Sequence, residues 1–143
     1  MSKAEIKWEE GMKFTAVSDS GHAVVLDAAK ESKGTDAGAR PMELLLMGLG
    51  GCTGMDVVYI LNKMRKKVKS FKINIDSERA AQHPKVYTKI NIEYIIEGDM
   101  DETDVGKAVE LSQKRYCSAS AMLGKVAELN YTYRLIKTGS IVS

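Results

Sequence analysis

The stretch that most limits how this chain can fold is "MELLLMGLGGCTGMDVVYILNKMRKKV", residues 42 to 68. It follows Pro41, whose missing N–H costs nothing at the first position of a helix, and it has a negative residue near its start and positive ones at its end. These features predict one long helix. Gly48, Gly50, Gly51 and Gly54 interrupt it around Cys52, and each costs about 1 kcal/mol of helix propensity relative to alanine. Gly50 and Gly54 stand at the spacing that lets two backbones approach closely, which predicts tight packing against another helix. The uncharged part, Leu44 to Met55, is shorter than the roughly 20 residues a membrane span needs, and Asp56 would lie in hydrocarbon. The expected role is therefore a central core helix, with no membrane partner.

Strand patterns flank this helix. Three candidates precede it, "AEIKWEE" (4 to 10), "MKFTAVS" (12 to 18) and "HAVVLDAA" (22 to 29), separated by turn signals at Gly11 and at "DSG" (19 to 21), so an antiparallel meander is expected. A polar loop, "KESKGTDAGAR" (30 to 40), leads to Pro41. After the helix come "SFKINIDSERA" (70 to 80) and "VYTKINIEYIIEG" (86 to 98), in which Ile90, Ile92, Tyr94 and Ile96 alternate. "DMDETDVGKAVELSQKRYC" (99 to 117) opens with the acidic residues of a helix start and closes on Cys117. A short helical piece, "SASAMLGKVA" (118 to 127), leads to a last strand, "ELNYTYRLIK" (128 to 137). The order βββ-α-ββ-α-α-β, with strands in runs, argues for an α+β fold of antiparallel β-sheets packed on helices, in a single domain over residues 1–143.

Composition excludes several classes. A net charge of +2, from 21 basic and 19 acidic residues, is too balanced to imply nucleic acid. The local excess "KMRKKVK" (63 to 69) has no interleaved aromatics and reads as a solvated helix end. The N-terminus, "MSKAEIKWEEGMKF", has no apolar targeting segment, so the expected compartment is cytoplasmic. There a permanent disulfide between Cys52 and Cys117 is not expected, and free buried thiols compete with a redox or catalytic role.

Cys52, Cys117, His22 and His83 are an inventory for zinc, but no two of them have the short spacings of such sites, so no metal is expected. No nucleophile elbow or phosphate-binding loop is present. Thiol chemistry is left, and it needs a cation, a helix N-terminus or hydrogen-bond donors to lower the thiol pKa from about 8.5. Arg40 and Glu43 are the local charged candidates, about 15 Å or more from Cys52 along a straight helix, so reaching it requires a folded-back loop or a second subunit. From the residues alone, Cys52 and Cys117 also fit small core positions, and Arg40 with Glu43 a surface ion pair.

Three segments carry a family resemblance. "ARPMELLLMGLGGCTGMDVV" resembles the Pro-x-Glu-Leu-Leu helix and first cysteine of the OsmC/Ohr family of hydroperoxide-reducing proteins. "RYCSASAMLGKVAELNYTY" resembles that family's second cysteine segment, and "ERAAQHPKVYTKINIEYIIEG" its central hairpin. The resemblance implies an OsmC-like fold with two central helices in an intertwined homodimer, with active sites at the subunit interface. It implies Cys52 as peroxidatic thiol and Cys117 as resolving thiol, supported by Arg40 and Glu43. It further implies a small-molecule peroxide substrate, an external dithiol reductant and no bound cofactor. In the organic-hydroperoxide members an arginine precedes this region and a glutamate follows the proline directly, whereas here no arginine precedes Arg40 and Met42 follows Pro41. A non-catalytic dimeric module, or one binding a small apolar ligand, is the alternative.

Overall fold

The computed structural model describes residues 2–138. Nine principal elements follow one another: β1 (Ala4–Glu10), β2 (Lys13–Ser18), β3 (Ala23–Leu26), α1 (Pro41–Lys63), β4 (Lys67–Arg79), β5 (Tyr87–Asp99), α2 (Glu102–Leu111), α3 (Ser118–Leu123) and β6 (Glu128–Lys137). The expected βββ-α-ββ-α-α-β order holds. Residues up to Met47 form one compact unit and those from Gly48 onward another.

In the first unit, β1, β2 and β3 make the antiparallel meander. Gly11 turns β1 into β2 with a φ of 53°, a region where glycine pays no steric cost, and its carbonyl accepts from the Trp8 indole N–H at 2.8 Å. β3 ends three residues earlier than its alternation suggests, because Asp27 turns the chain. Its buried carboxylate accepts from the Ala28, Thr35 and Ala37 amides and from the Thr35 hydroxyl, closing the following loop on itself. Those bonds hold the Asp27 carboxyl well below the usual carboxylate range.

Helix α1 starts as half of a capping box. Glu43 Oε1, three residues into the helix, accepts from the Arg40 amide at 2.8 Å. It stops at Lys63, five residues before the end its composition suggests. Arg65 takes a left-handed φ of 61°, and the Arg65 and Lys66 amides donate back to the Asn62 and Leu61 carbonyls. That is a Schellman ending built on arginine instead of the usual glycine, so no sequence signal marks it. The basic run is thereby split between helix end, turn and strand; Lys66 in the turn pairs with Asp104 at 3.4 Å, and Lys69 in β4 with Glu97 at 3.4 Å.

In the second unit the sheet order is β4-β5-β6. β4 and β5 are antiparallel, as expected, but β6 runs parallel to β5 from Glu128 beside Lys89 to Lys137 beside Gly98. The sheet is therefore mixed, since two helices intervene between β5 and β6 and a crossover can return the chain in the same direction. Ile90, Ile92, Tyr94 and Ile96 of the central strand are buried, along with Leu49, Thr53, Val57 and Leu61 of α1 and Val105, Ala108 and Val109 of α2. The four α1 residues recur every fourth position and form one inward stripe. A Cβ at Gly50 would stand 3.2 Å from the Ile75 side chain, and one at Gly54 3.2 Å from Ile73. This glycine pair thus brings α1 down onto its own sheet, where packing against a helix was expected. Gly48 and Gly51 meet nothing within 4 Å.

Candidate functional site

The second cysteine is placed by a break in helical regularity. α2 ends at Leu111, and Ser112–Tyr116 continue as a π-helical turn that closes with the Cys117 amide on the Ser112 carbonyl at 2.8 Å. Such wide turns insert an extra residue and occur often at functional sites. The turn carries Ser112 and Gln113 inward, while Cys117 becomes the N-cap of α3 and accepts at sulfur from the Ser120 amide at 3.3 Å. One regular helix through residue 117, as the sequence suggests, would place these side chains differently.

This brings Cys117 to Cys52. Both thiols are free, and their sulfurs and a carboxylate oxygen of Asp56 lie within 4.8 Å of one another. Cys52 is half-buried and Cys117 buried. Burial pushes the Cys117 thiol above its ordinary value and the neighbouring Cys52 adds to this, while the Ser120 hydroxyl and amide pull the other way.

From Asp56 runs a chain of polar groups, buried at its centre, whose direction follows from donor counting. The Asp56 carboxylate can only accept, so the Ser112 hydroxyl donates to it at 2.9 Å. Ser112, its one proton used, accepts from the Thr53 hydroxyl at 2.7 Å. Thr53 in turn accepts from the Tyr94 hydroxyl at 2.6 Å, and Tyr94 from the Gln113 amide at 2.6 Å. The chain therefore points from Gln113 through Tyr94, Thr53 and Ser112 to Asp56. Thr53, Tyr94 and Ser112 are wholly buried, and burial raises the Tyr94 pKa. A cavity of about 560 Å³, lined by Asp56, Tyr59, Lys63, Lys107 and Tyr116 among others, opens onto the Asp56 end.

None of these five polar residues is prominent in sequence. The readable signals are that Asp56 follows Cys52 by four residues, one helical turn on the same face, and that Ser112 and Gln113 shortly precede Cys117. The other two expected site residues lie in the first unit. The Arg40 guanidinium pairs with Asp36 at 2.6 Å and donates to the Gly38 carbonyl at 3.0 Å, while Glu43 caps α1, so the two side chains are not ion-paired to each other. Arg40 lines a cavity of about 630 Å³ whose apolar walls include Ile6, Met12, Phe14 and Leu26.

Paired free thiols on a fold of this topology define a class, and comparison with known proteins gives its family. The model of the family described as OsmC-like protein matches residues 34–132, and the chain belongs to that family. It is 37% identical over 135 residues to protein YhfA of Escherichia coli strain K12, spanning 94% of this chain and 98% of that protein. A hypothetical protein from Aquifex aeolicus VF5 has the same fold with a TM-score of 0.86 and 32% identity, covering 96% of this chain and 98% of its own. An organic hydroperoxide resistance protein from Elizabethkingia anophelis shares the fold at a TM-score of 0.68 and 15% identity, over 95% of this chain and 96% of its own. The resemblance and the α+β, OsmC-like fold expected from sequence are thereby borne out.

Proposed function

We propose that the protein is a dithiol hydroperoxide reductase acting in oxidative-stress defence. The observation that carries this reading is the convergence of the two free thiols, from segments that resemble the family's cysteine segments, to within 4.8 Å at the Asp56 carboxylate. The half-buried Cys52 is the more accessible sulfur and takes the peroxidatic role. Its thiolate attacks the peroxide O–O bond, leaving a sulfenic acid and releasing an alcohol. The Cys117 sulfur then displaces the sulfenic hydroxyl, which leaves as water, and an external dithiol reduces the resulting disulfide by exchange. That recycling suits a reducing compartment such as the cytoplasm. Arg40 and Glu43 take the charged supporting roles that the family resemblance assigns to them.

The working form is proposed to be a homodimer. Helix α1 is long and apolar enough to cross a membrane by length and composition, yet it belongs to a sheet-packed fold and carries Asp56 in a polar chain. Its outer face leaves Met55 at 76% and Tyr59 at 66% exposed, beside the open Gly48 and Gly51. Apolar area of that kind normally marks an interface.

The test treats reduced protein with one equivalent of tert-butyl hydroperoxide and maps disulfides by mass spectrometry. A Cys52–Cys117 bond is expected. Cys52→Ser should abolish turnover, and Cys117→Ser should still form one round of trappable sulfenic acid. If neither thiol oxidises faster than a free thiol, the reading fails.

A further inference from the structure

The side chains that converge at the two sulfurs also make a set of metal ligands. We propose that the reduced protein binds a thiophilic divalent cation, zinc above all, through Cys52 Sγ, Cys117 Sγ and an oxygen of Asp56, and that joining the two sulfurs releases it. Binding of the cation needs no peroxidase activity.

Two thiolates and one carboxylate suit zinc, and three protein ligands leave a fourth position for water or a small molecule. The donor atoms already lie within 4.8 Å of one another. In a tetrahedral site with Zn–S of about 2.3 Å and Zn–O of about 2.1 Å, ligand atoms stand roughly 3.5 to 3.8 Å apart. Closing by about 1 Å is within reach of small side-chain rotations on a fixed backbone. Two of the ligands, Cys52 and Asp56, are four residues apart on one face of α1, the spacing that helical metal-binding motifs use.

A metal site also needs outer partners and an entry route. The Ser112 hydroxyl donates to Asp56 Oδ2 and anchors that carboxylate, leaving lone pairs on the other side. Cys117 Sγ accepts from the Ser120 amide. The buried Ser120 hydroxyl stands beside the same sulfur. A metal-bound thiolate beside it supplies an acceptor that a thiol supplies only weakly. The cavity that opens on Asp56 is the entry route, and Lys63 and Lys107 on its wall offset the single negative charge left when a divalent cation meets three anionic ligands.

Cysteine and histidine alone show no zinc-like spacing in this chain. The third ligand is an aspartate whose relation to Cys117 exists only in the folded chain. Redox exclusivity follows from electron counting. Binding releases two thiol protons. A hydroperoxide then takes two electrons from the bound thiolates and two protons from solvent, giving an alcohol and water. The sulfurs join, and the cation leaves with its charge unchanged.

The experiment titrates zinc chloride into reduced full-length protein against a chromophoric zinc chelator, with cadmium as a second probe whose ultraviolet charge-transfer band reports thiolate ligation. One ion per chain is expected, released by diamide, a thiol oxidant that separates this question from peroxide turnover. Cys52→Ser and Cys117→Ser should each abolish the cadmium band, and Asp56→Asn should weaken zinc by about 10-fold or more. Retained binding in Cys117→Ser, or unchanged affinity in Asp56→Asn, overturns the proposal. Should a variant fail to fold, the wild-type protein decides: zinc must slow iodoacetamide alkylation of both cysteines together, and an undiminished rate at either overturns the site.

Discussion

Replacing Thr53 with valine removes one hydroxyl and almost no volume, yet it cuts the buried polar chain at its middle. Thr53, Tyr94 and Ser112 have no solvent exposure, so water cannot replace what is lost. The Tyr94 hydroxyl loses its acceptor at 2.6 Å and Ser112 loses its donor at 2.7 Å. A stranded buried donor costs about 1–3 kcal/mol and the second bond about 1 kcal/mol, so Thr53→Val should lose about 3 kcal/mol of folding free energy. For a chain of this length that lowers the melting temperature by about 10 °C. Thr53→Ser keeps the hydroxyl and should lose only about 1 kcal/mol, from one buried methyl. Tyr94→Phe removes the donor that Thr53→Val strands, so the double variant should cost about 1–2 kcal/mol less than the sum of the singles. The assay is urea unfolding of reduced protein followed by far-ultraviolet circular dichroism, at one protein concentration because self-association shifts apparent stability. Strict additivity of the two changes, or equal costs for Thr53→Ser and Thr53→Val, refutes the directional chain.

Two further outcomes follow from the same geometry. Gly51→Ala adds a Cβ into open space and should raise chain stability by about 1 kcal/mol, whereas Gly54→Ala meets Ile73 at 3.2 Å and should gain less. Sedimentation of the Gly51 variant checks the dimer, since weaker self-association is expected if that face meets a second copy. The Tyr131 hydroxyl donates to Glu110 at 2.6 Å, and burial together with that carboxylate raises its pKa to about 12. The unfolded chain releases this proton near 10 and the folded chain near 12, so stability should fall as pH rises between those values. Tyr131→Phe should flatten that decline in pH-dependent urea midpoints, and an unchanged slope counts against it.

The two cysteines could be located from sequence, and so could nearly every element, for reasons that are local. Alternation in Ile90, Ile92, Tyr94 and Ile96 marks a half-buried strand wherever it occurs, and "AEIKWEE" and "ELNYTYRLIK" match β1 and β6 residue for residue. The misjudged ends have equally local causes that composition does not show. Arg65 occupies a left-handed position normally marked by glycine, Asp27 spends its side chain on loop amides, and a π-helical turn hides inside a regular helical pattern. Glycines around a thiol announced a close approach, but the pattern could not say that Gly50 and Gly54 would meet strand β4.

The chain by itself determined which segments are helix and strand and which thiols are available, because propensity and hydrophobic period act over a few residues. Only the tertiary structure decided the site. Thr53 meets Tyr94 across 41 residues of chain and Ser112 across 59, and Asp56 meets Ser112 across 56. Polar residues at those separations carry no shared period. They become partners because packing α1, β5 and the turn after α2 into one core excludes water and leaves each group only the others to bond.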